Sequence, residues 1–181
     1  MELQRFINDN TDYISKFRKL NLIVKTYTEL NLAIITYKRN INYDFKNNSI
    51  IKWCKGAVIN TNNHKIISLS PPKCYLTYSF NNIPDIIEKD YILQPLIDGT
   101  MINMFYHNNL WMISTRSFIG AKNKWDQKIS FKKMFDEAKN NMNVEELNKN
   151  HSYSFVLHHK NNRIISKIVE NSIVLVDEYS F

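Results

Sequence analysis

Two segments of this sequence gather cations with almost no counter-charge. Lys52 to Lys73 holds Lys52, Lys55, Lys65 and Lys73 and no acidic residue; Met101 to Phe135 holds Arg116, Lys122, Lys124, Lys128, Lys132 and Lys133 against the single acid Asp126. Phe118, Trp125 and Phe131 are interleaved with the second set. Lysine and arginine neutralise phosphates and aromatic rings stack on bases, so the pattern points to RNA or another single-stranded nucleic acid, bound with strong salt dependence. The competing reading is a solvated basic face whose aromatics fill the core beneath a helix. A second candidate is Asp98-Gly99-Thr100, where one of only three glycines precedes an apolar run. A residue without Cβ permits φ > 0 or the close approach of a ligand there, although the same pair also reads as a tight Asp-Gly turn. His158 and His159 are adjacent, and neighbours in a strand point to opposite faces, so they cannot act as one site. Cys54 and Cys74 are isolated, neither has a CxxC partner, and the five histidines supply no zinc spacing; no metal site is expected, and a reducing compartment is.

The elements that must position these residues are mostly strands. Met101 to Phe105, a His107-Asn108-Asn109 turn and Leu110 to Ile113 predict a hairpin. Leu22 to Tyr27 and Leu32 to Tyr37, both β-rich, predict another. Ile50 to Ile59 reads as a third strand of that region, with a turn at Asn60 to Asn63 and a fourth strand at Lys65 to Leu69 ended by Pro71-Pro72. Ser154 to Leu157 and Ser172 to Val176 are the last strands, with a turn at Lys160 to Arg163 between them. Trp125 to Asn141 is the best helix candidate, with Ser130 as N-cap, and a short helix is expected from about Asp12 after a turn. Many antiparallel strands with one or two helices make an α+β fold.

Composition bounds the class. A chain of 181 residues, 44% apolar and 13% aromatic, is expected to form one globular domain, residues 1–181. The net charge of +7 suggests an anionic partner, although the Asn, Ile and Lys bias also raises lysine everywhere. There is no N-terminal apolar h-region and no run of ~18 apolar residues, so a soluble, cytoplasmic protein without membrane attachment is expected.

Short motifs in order carry a family resemblance. Cys54-Lys55-Gly56-Ala57-Val58, Pro71-Pro72-Lys73-Cys74-Tyr75, Leu96-Ile97-Asp98-Gly99-Thr100, Ser114-Thr115-Arg116-Ser117, and Phe155-Val156-Leu157 followed by Asn162-Arg163-Ile164-Ile165 resemble the adenylation (nucleotidyltransferase) domain of phage-type ATP-dependent RNA ligases. The resemblance covers roughly residues 22–181, leaving 1–21 as an N-terminal extension with a short helix. It implies two antiparallel sheets with flanking helices and a nucleotide between them, and ATP and Mg²⁺ as ligands, which the residues themselves do not require. It also implies nucleotide binding by Lys55, Lys73, Asp98, Gly99, Thr100, Arg116 and Phe155, while the nucleic-acid face would be Lys122, Lys124, Lys128, Lys132 and Lys133.

The departures from the family are chemical. Its nucleophile is a lysine two residues before the Asp, which attacks the α-phosphate of ATP; here that position is Leu96, which has no nucleophile. Val156 stands where the family has a Glu, and the later Glu-Gly and Lys-x-Lys motifs have no counterpart. The expected function is therefore a degenerate RNA ligase-like domain that keeps a nucleotide- or nucleic-acid-binding cleft without catalysis. The alternatives are an active RNA ligase completed by a second chain or an unrecognised nucleophile, and a structural interaction protein.

Overall fold

Apolar residues at i and i+4 open the chain. Leu3 and Ile7 form the buried stripe of α1 (Glu2–Asn8), and Tyr13 and Phe17 that of α2 (Tyr13–Lys19). The computed structural model describes residues 1–73, 95–126, 128–140 and 142–181; Cys74 and the side chain of Trp125 lie outside what is described. The expected single helix from Asp12 is thus joined by α1, because Asp9 to Asp12 forms only the bend between two helices. Both pack on one face of a four-stranded antiparallel sheet, β1 (Leu22–Tyr27), β2 (Leu32–Tyr37), β3 (Ala57–Asn60) and β4 (Lys65–Ser68), in that order. Their core includes Leu22, Val24, Ala33, Ile35, Ile59 and Ile66. Residues 1–21 are therefore built into the first core.

The strand expected over Ile50 to Ile59 is divided. Ser49–Trp53 is a 3-10 turn and only Ala57–Asn60 joins the ladder. Gly56 makes the division: its φ of +98° suits glycine, and its N–H donates to Ile35 O at 2.8 Å. An apolar run without alternation does not distinguish a strand from a buried turn.

The second sheet has five antiparallel strands in the order β11, β10, β5, β6, β7. They are β5 (Thr100–His107), β6 (Leu110–Thr115), β7 (Phe118–Ile119), β10 (His151–His158) and β11 (Ser172–Ser180). Asn108 and Asn109, with φ of 48° and 62°, make the two-residue turn between β5 and β6, the conformation that matches strand twist. The expected helix over Trp125 to Asn141 is shorter. Lys124–Trp125 (β8) pairs with Ile129–Ser130 (β9), and the helix α3 spans Phe131–Ala138. Ser130 is its N-cap, accepting the Lys133 N–H at 3.2 Å. Phe131, Met134 and Phe135 of α3 cover Ile102, Met104, Tyr153, Phe155 and Leu157 on one face of this sheet.

The remaining faces of the two sheets meet. Leu32, Ile34 and Val58 from the first pack on Phe105 and Ile119 from the second. Beside this apolar contact the seam is polar: Ser154 Oγ donates to Leu69 O at 3.1 Å or to Asn103 Oδ1 at 3.0 Å, and Asn103 Nδ2 donates to Ser70 Oγ at 2.7 Å. The architecture is α+β, two antiparallel sheets with flanking helices. No helix among the described residues is long and apolar enough to cross a membrane.

Candidate functional site

Close backbone packing at Gly56 joins the two sheets at one end of the seam. A Cβ there would stand 2.8 Å from the Arg116 Cα and 3.2 Å from Ser70 Oγ, so only glycine lets the start of β3 touch the β6–β7 turn. The contact places Lys55, the residue before Gly56, across the seam from Arg116. Both line a cleft of about 440 Å³ together with Arg39, Ser70, Pro71, Gly99, Thr100, Met101, Thr115, Ser117, Asn123, Lys124, Phe131 and Ile164. Four of these carry positive charge and none is acidic. Hydroxyls of Ser70, Thr100, Thr115 and Ser117 and the amide of Asn123 add neutral hydrogen-bonding groups, while Met101, Phe131 and Ile164 form an apolar wall. Such a surface can hold a phosphate-bearing ligand with an aromatic or sugar part.

The nucleotide-binding set expected from sequence is only partly gathered here. Lys55, Gly99, Thr100 and Arg116 line the cleft. Asp98 is not among the lining residues. Its Oδ2 accepts the backbone N–H groups of Ser166 at 2.8 Å and Ile165 at 2.9 Å, and these bonds, Ser166 first, hold its carboxyl below the usual range. Gly99 has a packing reason for being glycine, since a Cβ would stand 2.5 Å from Val156 Cγ1 and 2.7 Å from Leu157 O. Lys73 is exposed and outside the cleft lining, with its backbone N–H donating to Lys52 O at 2.9 Å. Phe155 lies in the core under α3, its ring centroid 5.9 Å from that of Phe135, because β10 alternation turns it away from the seam. Leu96 is fully exposed and also outside the lining.

The expected nucleic-acid face is changed more. Of its five lysines only Lys124 reaches the cleft. Lys132 pairs with Asp136 at 2.7 Å, Lys133 with Glu137 at 3.9 Å and Lys128 with Asp126 at 3.8 Å, so acids one turn along α3 and in the β8–β9 turn offset much of that charge. Phe131 is 5% exposed and belongs to the α3 core. Arg39, two residues beyond the end of β2 and in sequence the start of a loop, is the cation of this cleft that sequence reasoning missed.

The histidines do face apart. His158 Nε2 bonds Asp98 O at 2.8 Å, whereas buried His159 bonds Glu137 Oε2 through Nε2 at 2.9 Å and accepts the Asn161 N–H at Nδ1. The Cys54 thiol is buried, and burial pushes its pKa up, which disfavours the thiolate. Mg²⁺ is commonly held by carboxylates together with substrate phosphates. Among the described residues no Asp or Glu lines the cleft, and no group of three or more His, Cys, Asp or Glu could hold a metal, so the described cleft does not fit a resident Mg²⁺.

No family model matches the chain. It is 23% identical over 172 residues to a putative bifunctional polynucleotide kinase/RNA ligase of Autographa californica nuclear polyhedrosis virus, a match that covers 82% of this chain and 24% of that protein. The chain therefore spans about a quarter of the length of this curated relative. The similarity reaches an RNA ligase-related protein and no further.

Proposed function

We propose that this chain is a nucleic-acid-binding domain related to RNA ligases, whose cleft keeps phosphate-binding cations but lacks the lysine nucleophile. The observation that carries this reading is the lining of the cleft: Arg39, Lys55, Arg116 and Lys124 converge from both sheets, and no carboxylate is among the described lining residues. An anion bound between these cations is attracted by each of them. Lys55 and Arg116 grip a phosphate from opposite sides of the seam, Arg116 with its planar fork. Thr100 and Asn123 offer hydrogen bonds to a sugar or base, and Met101 and Ile164 offer apolar contact. The relative's description as a polynucleotide kinase/RNA ligase supports nucleic acid as the ligand class.

Titration of a fluorescent single-stranded RNA at low ionic strength tests the reading. Binding should weaken linearly in log salt, and Arg116→Ala should lower affinity about tenfold or more, since a charge-assisted hydrogen bond contributes ~1.5–3 kcal/mol. Absence of binding at low salt would leave an interaction protein instead.

A further inference from the structure

Beyond the cleft lies a second cavity of about 660 Å³, over the open ends of β1 and β2. Ile23, Lys25, Thr36, Tyr37 and Lys38 line it, together with Arg39, Lys55, Arg116 and Ser117, which also line the cleft. The two cavities are thus lobes of one trough, and its junction holds three cations. Among the described residues, the outer lobe brings five positively charged side chains together and no acidic one. Lys25 is not a freely waving surface lysine. It is half-buried, its Nζ donates to Ser117 O at 3.0 Å, and it stands 4.8 Å from the centroid of the Phe118 ring. Lys25 is therefore held in place before any ligand arrives, which lowers the ordering cost of binding.

We propose that the outer lobe is a second phosphate subsite, so that the ligand is a single-stranded polynucleotide of at least several residues rather than a mononucleotide. The inner cleft takes one nucleotide, Arg39, Lys55 and Arg116 take the phosphate between the lobes, and Lys25 and Lys38 take the backbone that continues across β1 and β2. A positive groove that tracks a backbone is how single strands are bound without sequence preference. This inference rests on the function proposed for the inner cleft.

The test compares AMP with a single-stranded hexanucleotide, using the Lys25→Gln/Lys38→Gln double variant. Glutamine at residue 25 keeps a donor for Ser117 O while removing the charge. The double variant should bind AMP as the wild type does, bind the hexamer roughly tenfold less tightly at low salt, and lose roughly 1.4 from the slope of log K against log salt, about 0.7 for each phosphate contact. Ribo- and deoxyribo-hexamers should lose equally, because the contacts are to phosphodiesters. Hexamer affinity and slope unchanged in the double variant, with wild-type binding intact, would overturn the outer subsite and leave the cleft reading standing. Equal losses for AMP and hexamer would also overturn it, since the lobes would not be separate. A wild type that binds neither probe would remove both proposals.

Discussion

The Asp98 carboxylate is engaged within its own chain. Two backbone N–H groups, from Ser166 and Ile165, point at Oδ2 and tie the segment after β10 to the start of β5. The sequence made Asp98-Gly99 visible as a turn-like pair, and Gly99 does need to be glycine where it passes Val156 and Leu157. What it could not show is where the carboxylate goes, because its partners lie nearly seventy residues away in a loop with no periodicity. Because the folded pKa lies below the ordinary value of 3.8, this tie contributes stability that is present above that value and lost as pH falls through the folded one. Hydrogen exchange should show the Ile165 and Ser166 amides protected at neutral pH and unprotected in Asp98→Ala. Unchanged protection in that variant would mean that the tie is absent in solution.

Strand pairing carries the site, and its parts were unequally legible. The two hairpins, β1–β2 and β5–β6, follow from apolar, strand-prone runs separated by turn residues, and they place Lys25 within β1 and Arg116 just after β6, both on the trough. The 3-10 turn before β3 was hidden because Ile50, Ile51 and Trp53 are as apolar as a strand, although they serve the first core from a turn. Gly56 was the available signal: a glycine inside an apolar run marks a bulge or a close backbone approach. Here it is both the end of the turn and the contact with Arg116. Gly56→Ala should therefore act twice. The positive φ costs about 1–3 kcal/mol for a residue with a Cβ. That Cβ must also push the Arg116 backbone away, since the atom it meets at 2.8 Å is a Cα and not the end of a flexible side chain. Denaturant unfolding should show the stability loss, and RNA affinity should fall even where the variant remains folded. A stable Gly56→Ala variant with wild-type affinity would show that this contact does not position the cleft.

At the scale of the molecule, a count of lysines was a poor guide to where positive potential accumulates. The run from Lys122 to Lys133 looked like the basic face, yet three of its lysines are paired with nearby acids, while the trough draws Lys25, Lys38, Arg39, Lys55, Arg116 and Lys124 from five segments. Strand pairing within the first sheet and the packing of the second sheet on it bring those together. The same packing bears on catalysis. Forming a lysyl-adenylate needs an amine with a depressed pKa in line with the leaving pyrophosphate, and charge stabilisation of the transferring phosphoryl group. At the position where the resemblance asks for that amine, Leu96 is fully exposed and outside the cleft lining, and no carboxylate lines the described cleft to hold Mg²⁺. Leu96→Lys would therefore add a solvated ammonium with an ordinary pKa, not a desolvated nucleophile. Incubation with α-labelled ATP and Mg²⁺ should leave both the natural protein and Leu96→Lys without acid-stable label, while both still bind single-stranded RNA with the same salt slope. Label on Leu96→Lys alone would mean that this segment closes over the cleft and that only the nucleophile has been lost; label on the natural protein would make it a nucleotidyltransferase with a different nucleophile.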